Sequence, residues 1–395
     1  MRKTLSLILL EITVVLFILI STLLPINAMV QGLCSDCHTM HNSQNGLAMT
    51  FDGSETPNSH LLRTSSCEGC HAQSGAENII DFSESEVPQV MHTNGTDLAG
   101  GNFAYITGLK GSGASPTKGH NVVALVGQEP TLLVPPGGPV QGGNTHPHSM
   151  VERLTCAGLY GCHGSAHVVD PIASMQGAHH TITDESALGY QKPDGTTVGN
   201  SYRFLLGVEG LEVSDWQNRD KDHHNEYKKD NHQSTGPWEP SCYWCHGPDN
   251  PWHGNSGEVL APGSGMQYLC MRCHPAFHSG TSHGGDIVSS PWFRHPSNLS
   301  IPDDGEYQYY TTYSVDAPVT RDEIPDSPSN QVTPFRPRGA PFFEVGYDFV
   351  SCISCHKAHG TNYPDILRWD YADIEAGNGV SSGKGCIICH TQKDD

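Results

Sequence analysis

Cys34-Ser35-Asp36-Cys37-His38 is a C-x-x-C-H box, and its reading decides what kind of fold this chain can have. The spacing is that of c-type haem attachment. Two thiols add across the two vinyl groups of one haem, and a two-residue spacer brings both sulfurs to one ring edge. The adjacent histidine then lies under the iron and supplies a nitrogen ligand. The box recurs with Cys67, Cys70 and His71, with Cys242, Cys245 and His246, and with Cys270, Cys273 and His274. It recurs twice more with Cys352, Cys355 and His356, and with Cys386, Cys389 and His390. A widened version, with five intervening residues, is formed by Cys156, Cys162 and His163. All 14 cysteines are used in these pairs, and a histidine follows every pair. Zinc ribbons use C-x-x-C pairs too, but need no histidine after each second cysteine. A disulfide framework suits an exported chain and leaves the histidines unexplained. Covalent haem c, about seven per chain, accounts for both. At the widened site a disulfide beside an unrelated histidine is the competing reading.

The composition points the same way. Of 395 residues only 36% are hydrophobic and 8% aromatic, while glycine (43) and proline (27) are plentiful. Such a chain struggles to bury enough apolar side chain to offset its conformational entropy. Large flat cofactors would fill the core instead. The expected fold is a multihaem cytochrome c: mostly coil, short helices at the boxes, few short strands, and a core of stacked haems. Asp+Glu (42) outnumber Lys+Arg (21), a formal charge of −21. That argues against nucleic acid, whose phosphates want a basic face.

Arg2 and Lys3 precede an apolar run from Leu5 to Leu24, and Ala28 offers a cleavage point. Residues 1–28 therefore read as a signal peptide, with an uncleaved anchor as the alternative. Residues 29–135 hold the first pair of boxes, with a strand candidate at Val122–Val126. Residues 136–240 hold the widened box, a strand candidate at Tyr202–Val208 and a charged run, Asp220–Asp230, of short-helix type. Residues 241–290 hold the second pair of boxes. Residues 291–395 hold a Pro-rich connection and the last pair. Pro135-Pro136-Gly137-Gly138-Pro139 reads as a loop. The first and last pairs look like one module used twice. Their box histidines are almost equally spaced (His38 to His71, His356 to His390). Both first boxes continue C-H-x-x-H to His41 and His359, and both second boxes continue C-H-x-Gln to Gln73 and Gln392.

Seven of the 24 histidines sit in boxes, which leaves ample supply for a second ligand on each iron. Two-histidine iron is closed to substrate and suits electron relay. Candidates in compact contexts beside Gly, Asn or Pro are His60, His120, His180, His224 and His295, with His179 and His223 as near-equal alternatives to their neighbours. His41 and His359 lie one helical turn beyond a box histidine, on the side away from its haem. The expectation is that His41 serves the haem of Cys67 and Cys70, and His359 that of Cys386 and Cys389.

At these boxes, and at Gly119-His120-Asn121, Ser290-Pro291-Trp292-Phe293-Arg294-His295-Pro296 and Ala358-His359-Gly360, the chain resembles the multihaem c-type cytochromes of metal-reducing and syntrophic bacteria. The resemblance implies an exported, mostly bis-histidine electron carrier at the periplasm, outer surface or cell exterior. Its partners would be other c-type cytochromes or extracellular acceptors, and the membrane would be met only through an uncleaved leader. Three hypotheses follow. One is an electron conduit with no catalytic residue. Another is a multihaem oxidoreductase acting on a small nitrogen or sulfur compound at one open haem; such enzymes often mark that haem with C-x-x-C-K, which does not occur here. The third is a filament subunit, a homopolymer in which the next copy supplies a distal histidine.

Overall fold

The structure is a computed structural model that describes residues 30, 32–73, 75, 77–129, 131, 135–136, 153–180, 193–211, 226–229, 265–274, 295, 297, 299–303, 305–325, 329–332, 348–377, 379 and 383–393. The leader expected over residues 1–28 lies outside the described residues. So does the whole fourth box expected from the sequence, Cys242, Cys245 and His246. The distal candidate His224 and its alternative His223 also lie outside them.

The described elements are short. In chain order the helices are α1 (Cys34–Cys37), α2 (Glu68–His71), α3 (Ala104–Thr107), α4 (Val123–Val126), α5 (Pro171–Ser174), α6 (Met266–Met271) and α7 (Cys352–Cys355). The strands are β1 (Ser43–Gln44), β2 (Leu47–Ala48), β3 (Ile79–Phe82), β4 (Ser85–Pro88), β5 (Tyr227–Lys228), β6 (Leu299–Ser300), β7 (Thr320–Arg321) and β8 (Asp348–Val350). Two antiparallel hairpins, β1–β2 and β3–β4, follow the first two boxes, and a sheet of order β5-β7-β8-β6 gathers segments far apart in sequence. Among the described residues no helix is long and apolar enough to cross a membrane.

Three expectations on local structure need correction. Val122–Val126 is a helical turn rather than a strand, ended by Gly127 at φ 77. Val122 is buried against Phe103 and Ile106, and β-propensity without a partner strand does not make a strand. Tyr202–Val208 is broken by left-handed backbone at Arg203 and Phe204 (φ 51 and 63). The described part of the charged run pairs as β5 with β7 instead of forming a helix.

Side chains form three small clusters instead of one core. One joins Ile301, Tyr310, Tyr313, Val319 and Ile388 beside Cys389. Another joins Tyr202, Val208, Tyr227, Met266 and Ile353 beside Cys270. The third joins Phe103, Ile106 and Val122 beside Cys156. They border a continuous cavity of about 2270 Å³, lined by cysteines and histidines of the first, second, third, fifth and sixth boxes. Glycine lets distant strands of chain meet at its wall. Gly360 bridges both Gly101 and Gly119, and a Cβ on Gly101 would lie 2.1 Å from the Gly360 carbonyl oxygen. Those contacts also cross between the first and last sequence regions.

Candidate haem sites

One turn of helix explains why C-x-x-C works. Residues three apart share a helix face, so both sulfurs point the same way. The turn is closed by the box histidine, whose amide donates to the first cysteine's carbonyl. The distances are 2.8 Å for His38, 3.0 Å for His71, His274 and His390, and 3.1 Å for His356. The widened box keeps this bond. His163 N donates to Cys156 O at 3.0 Å, while residues 157–161 leave and return as a loop closed from Gly161 N to Gly158 O. No disulfide joins Cys156 to Cys162. Of the seven predicted boxes, these six are described, and the one formed by Cys242, Cys245 and His246 is not.

Each described box histidine donates its Nδ1 proton to a fixed oxygen, which leaves Nε2 as the nitrogen that can ligate a metal. The acceptors are the carbonyls of His60 for His38 (3.1 Å), Pro88 for His71 (2.9 Å), Arg203 for His163 (3.0 Å), Pro136 for His274 (2.6 Å) and Asp365 for His356 (2.8 Å). His390 alone of these six uses a side chain, the Glu306 carboxylate at 3.1 Å. Three of the carbonyls come from one device, a turn with two successive non-glycine residues at positive φ: His60-Leu61, Arg203-Phe204 and Asp365-Ile366. Such backbone costs roughly 1–2 kcal/mol per residue and persists where surrounding contacts hold it. In the first and last modules the copy extends further. Arg63 and Arg368 both follow the turn, donate their amides to Cys37 O and Cys355 O, and reach box carbonyls at Asp36 and Ile353 with their guanidinium groups.

The decisive geometry is a second ring opposite five of these six. His38 faces His180 at 5.9 Å between ring centroids, and His71 faces His179 at 6.4 Å. His163 faces His359 at 6.2 Å, His274 faces His120 at 6.1 Å, and His390 faces His295 at 6.1 Å. Two imidazoles on opposite sides of one metal stand roughly 6 Å apart, from two metal–nitrogen bonds of about 2 Å and two ring radii of about 1.1 Å. The residues therefore fit haem iron held from both faces.

The pairings depart from the local expectation. His359 faces His163 and does not serve the last box. His41 is exposed and faces no ring among the described residues, and His179 stands opposite His71 instead. His60 is exposed and contributes its carbonyl. Among the described residues no ring faces His356. His92, left unassigned from the sequence, is buried between Asn94 O and Asp97 and serves the packing around Asn102.

Burial favours the neutral form of five of these imidazoles, with a lone pair free for metal. Desolvation lowers His71, His120 and His163. Desolvation, then neighbouring His71 and His180, brings His179 down to about 4. Desolvation, then His163 and Arg203, brings His359 down to about 3. A folded value below the unfolded one gives stability that is full above the unfolded value and is lost as pH falls through the folded one. With iron on Nε2 a proton must displace the metal, so the haem-loaded protein should stay folded as pH falls through 6.5 and open only in stronger acid. An acid titration followed by near-ultraviolet circular dichroism checks this, and a midpoint at 6.5 or above would contradict it.

Thiol neighbours set the order of the boxes. Burial, with Cys37 alongside, pushes Cys70 up to about 12. The Cys67 and Cys156 thiols share a hydrogen bond, as do Cys270 and Cys352. Cys162 stands beside Cys273, and Cys386 beside Cys355. These neighbours order the described boxes as first, second, third, fifth, sixth and seventh.

Cysteine pairs on single turns, each closed by a histidine and most met by a second across a shared cavity, are the arrangement that covalent c-type haem requires. No family model matches the chain. The chain is similar to the C-type cytochrome OmcS of Geobacter sulfurreducens, 24% identical over 384 residues that cover 86% of this chain and 79% of that protein. A cryo-EM structure of the OmcS nanowires from the same organism has a TM-score of 0.47 at 18% identity, covering 88% of this chain and 86% of that one. A structure of the outer membrane cytochrome S filament has a TM-score of 0.46 at 17% identity with the same coverage.

Proposed function

We propose that this chain is an electron-transfer protein, exported from the cell, that relays electrons along a row of seven covalently attached haems. The carrying observation is the row itself: across the six described boxes the sulfurs touch or neighbour one another, and imidazoles meet in pairs at the separation one iron needs. The box histidines and their facing partners, His180, His179, His359, His120 and His295, would hold iron from both sides. Cys242, Cys245 and His246 would hold the remaining haem by the same box chemistry, a reading that rests on the sequence. Haem supplies reversible one-electron chemistry, and the protein sets its potential through ligands, hydrogen bonds and burial. With both faces taken, no site is left for substrate at the paired positions, so relay is favoured over an oxidoreductase.

The relay extends by assembly of copies. Apolar side chains are exposed at both ends of the row: Leu33, Met40 and Leu47 around the first box, Tyr309 and Tyr371 around the last. Unlike patches at two ends suit head-to-tail contact, which builds open filaments. The exposed His41 at one end, and His356, which no ring faces among the described residues, fit a ligand supplied by the next copy.

The test is a redox titration with spectra, joined to electron microscopy of secreted protein. Low-spin haems, overlapping low potentials, no turnover of nitrite or hydroxylamine, and filaments lost in His41→Ala are expected. A high-spin haem that turns substrate over would sink the relay reading.

A further inference from the structure

The two modules share a scaffold, and one difference between them is a charge placed on the second box histidine. At the second box of the first module, His71 donates to the neutral Pro88 carbonyl at 2.9 Å. At the corresponding place in the last module, His390 donates to the Glu306 carboxylate at 3.1 Å. Glu306 is built in. Its carbonyl accepts from Gln392 N (3.1 Å) and Thr391 Oγ1 (2.9 Å), directly after the box. Its second carboxylate oxygen pairs with Lys393 Nζ at 2.7 Å, and the Tyr307 ring lies 5.0 Å from His390.

A ligating histidine whose other nitrogen faces a carboxylate gains anionic character and becomes a stronger donor to iron. Stronger donation favours the ferric state, so the potential falls. Resting on the relay reading above, we propose that Glu306 holds the haem of Cys386 and Cys389 at a lower reduction potential than its counterpart at Cys67 and Cys70, so that electrons placed at the C-terminal end run downhill into the row. Glu306 is a positioning residue acting through His390, and Lys393 moderates it by sharing the carboxylate.

The last site also carries its own label. The His295 and His390 planes cross at 85°, against 24°, 29°, 41° and 56° for the other four facing pairs. Near-perpendicular imidazoles give a low-spin ferric haem an EPR signal with a large maximal g value, distinct from that of near-parallel pairs.

The experiment is an EPR-monitored redox titration of the full haem-loaded chain. Glu306→Gln should shift the large-g haem about tenfold towards reduction, about 59 mV for one electron, and move its g value while other signals stay put. Lys393→Gln alters an exposed side chain and should shift the same haem the opposite way. Glu306→Asp should keep the low potential. Unchanged midpoint and g value in Glu306→Gln, an equal shift of every haem, or a same-sense shift in Lys393→Gln would overturn the proposal. Substrate turnover at a high-spin haem, with the Glu306 shift intact, would remove the relay reading and leave the tuning standing.

Discussion

Made without haem attachment, with every box cysteine replaced by serine, the chain will stay unfolded: flat near-ultraviolet circular dichroism, no cooperative thermal transition, and amide exchange at unfolded rates. The clusters around Tyr313, Tyr202 and Phe103 are small and separated by the cavity. Left without haem, the cavity of about 2270 Å³ exposes a mostly apolar lining that no side chain covers, a cost large against the roughly 5–15 kcal/mol by which domains are stable. Burial also raises the thiols of Cys70, Cys273 and Cys389 to about 12 and Cys355 to about 11. Thiols held so far from ionisation are poor nucleophiles. Attachment therefore belongs to the open chain, and folding follows the cofactors. A cooperative transition in the serine variant would show that side chains alone suffice.

The chemistry of this fold was legible residue by residue, because covalent attachment needs its cysteines and histidine close in sequence. The repeat was legible too, down to the C-H-x-x-H forms. The partner rings were not. His179 and His180 reach two different boxes from adjacent positions, more than a hundred residues downstream of either. His359 was assigned by spacing to its own module. It crosses instead to His163, because Gly360 seats its backbone against Gly101 and Gly119. The glycine beside His359 was a usable signal for tight packing, but glycine does not say against what. The strand candidates at Val122 and Tyr202 failed for a similar reason. Apolar, β-branched runs read as strands only when a ladder awaits them, and here the chain bends around a cavity. Glu306 carried no sequence signal at all, since its role depends on a turn that closes on the last box from 84 residues away.

Removing the third attachment site will divide the relay. Cys67 of the second box touches Cys156, and Cys162 of the same widened box stands beside Cys273 of the fifth. Among the described boxes, the widened one is thus the junction between the first pair and those that follow. His163 N to Cys156 O at 3.0 Å shows that its long loop leaves the attachment geometry of an ordinary box in place. In Cys156→Ser/Cys162→Ser the mature mass should fall by one haem. The first pair and the later boxes should still reduce chemically, each near its native midpoint, since neither group loses a ligand. Electron transfer from one end to the other, read by fast photoreduction at one terminus and absorbance of the whole, should be lost rather than slowed by a small factor. Cys156→Ser alone, with one thioether remaining, should retain both haem count and transfer, which separates the loss of the cofactor from damage to the surrounding chain. End-to-end transfer at the native rate in the double variant would mean that the second and fifth boxes communicate directly, and the order drawn from the neighbouring sulfurs would be wrong. A native mass one haem short of seven, with Cys156 and Cys162 oxidised to each other, would instead put a disulfide at the junction and remove the relay's continuity before any residue was changed.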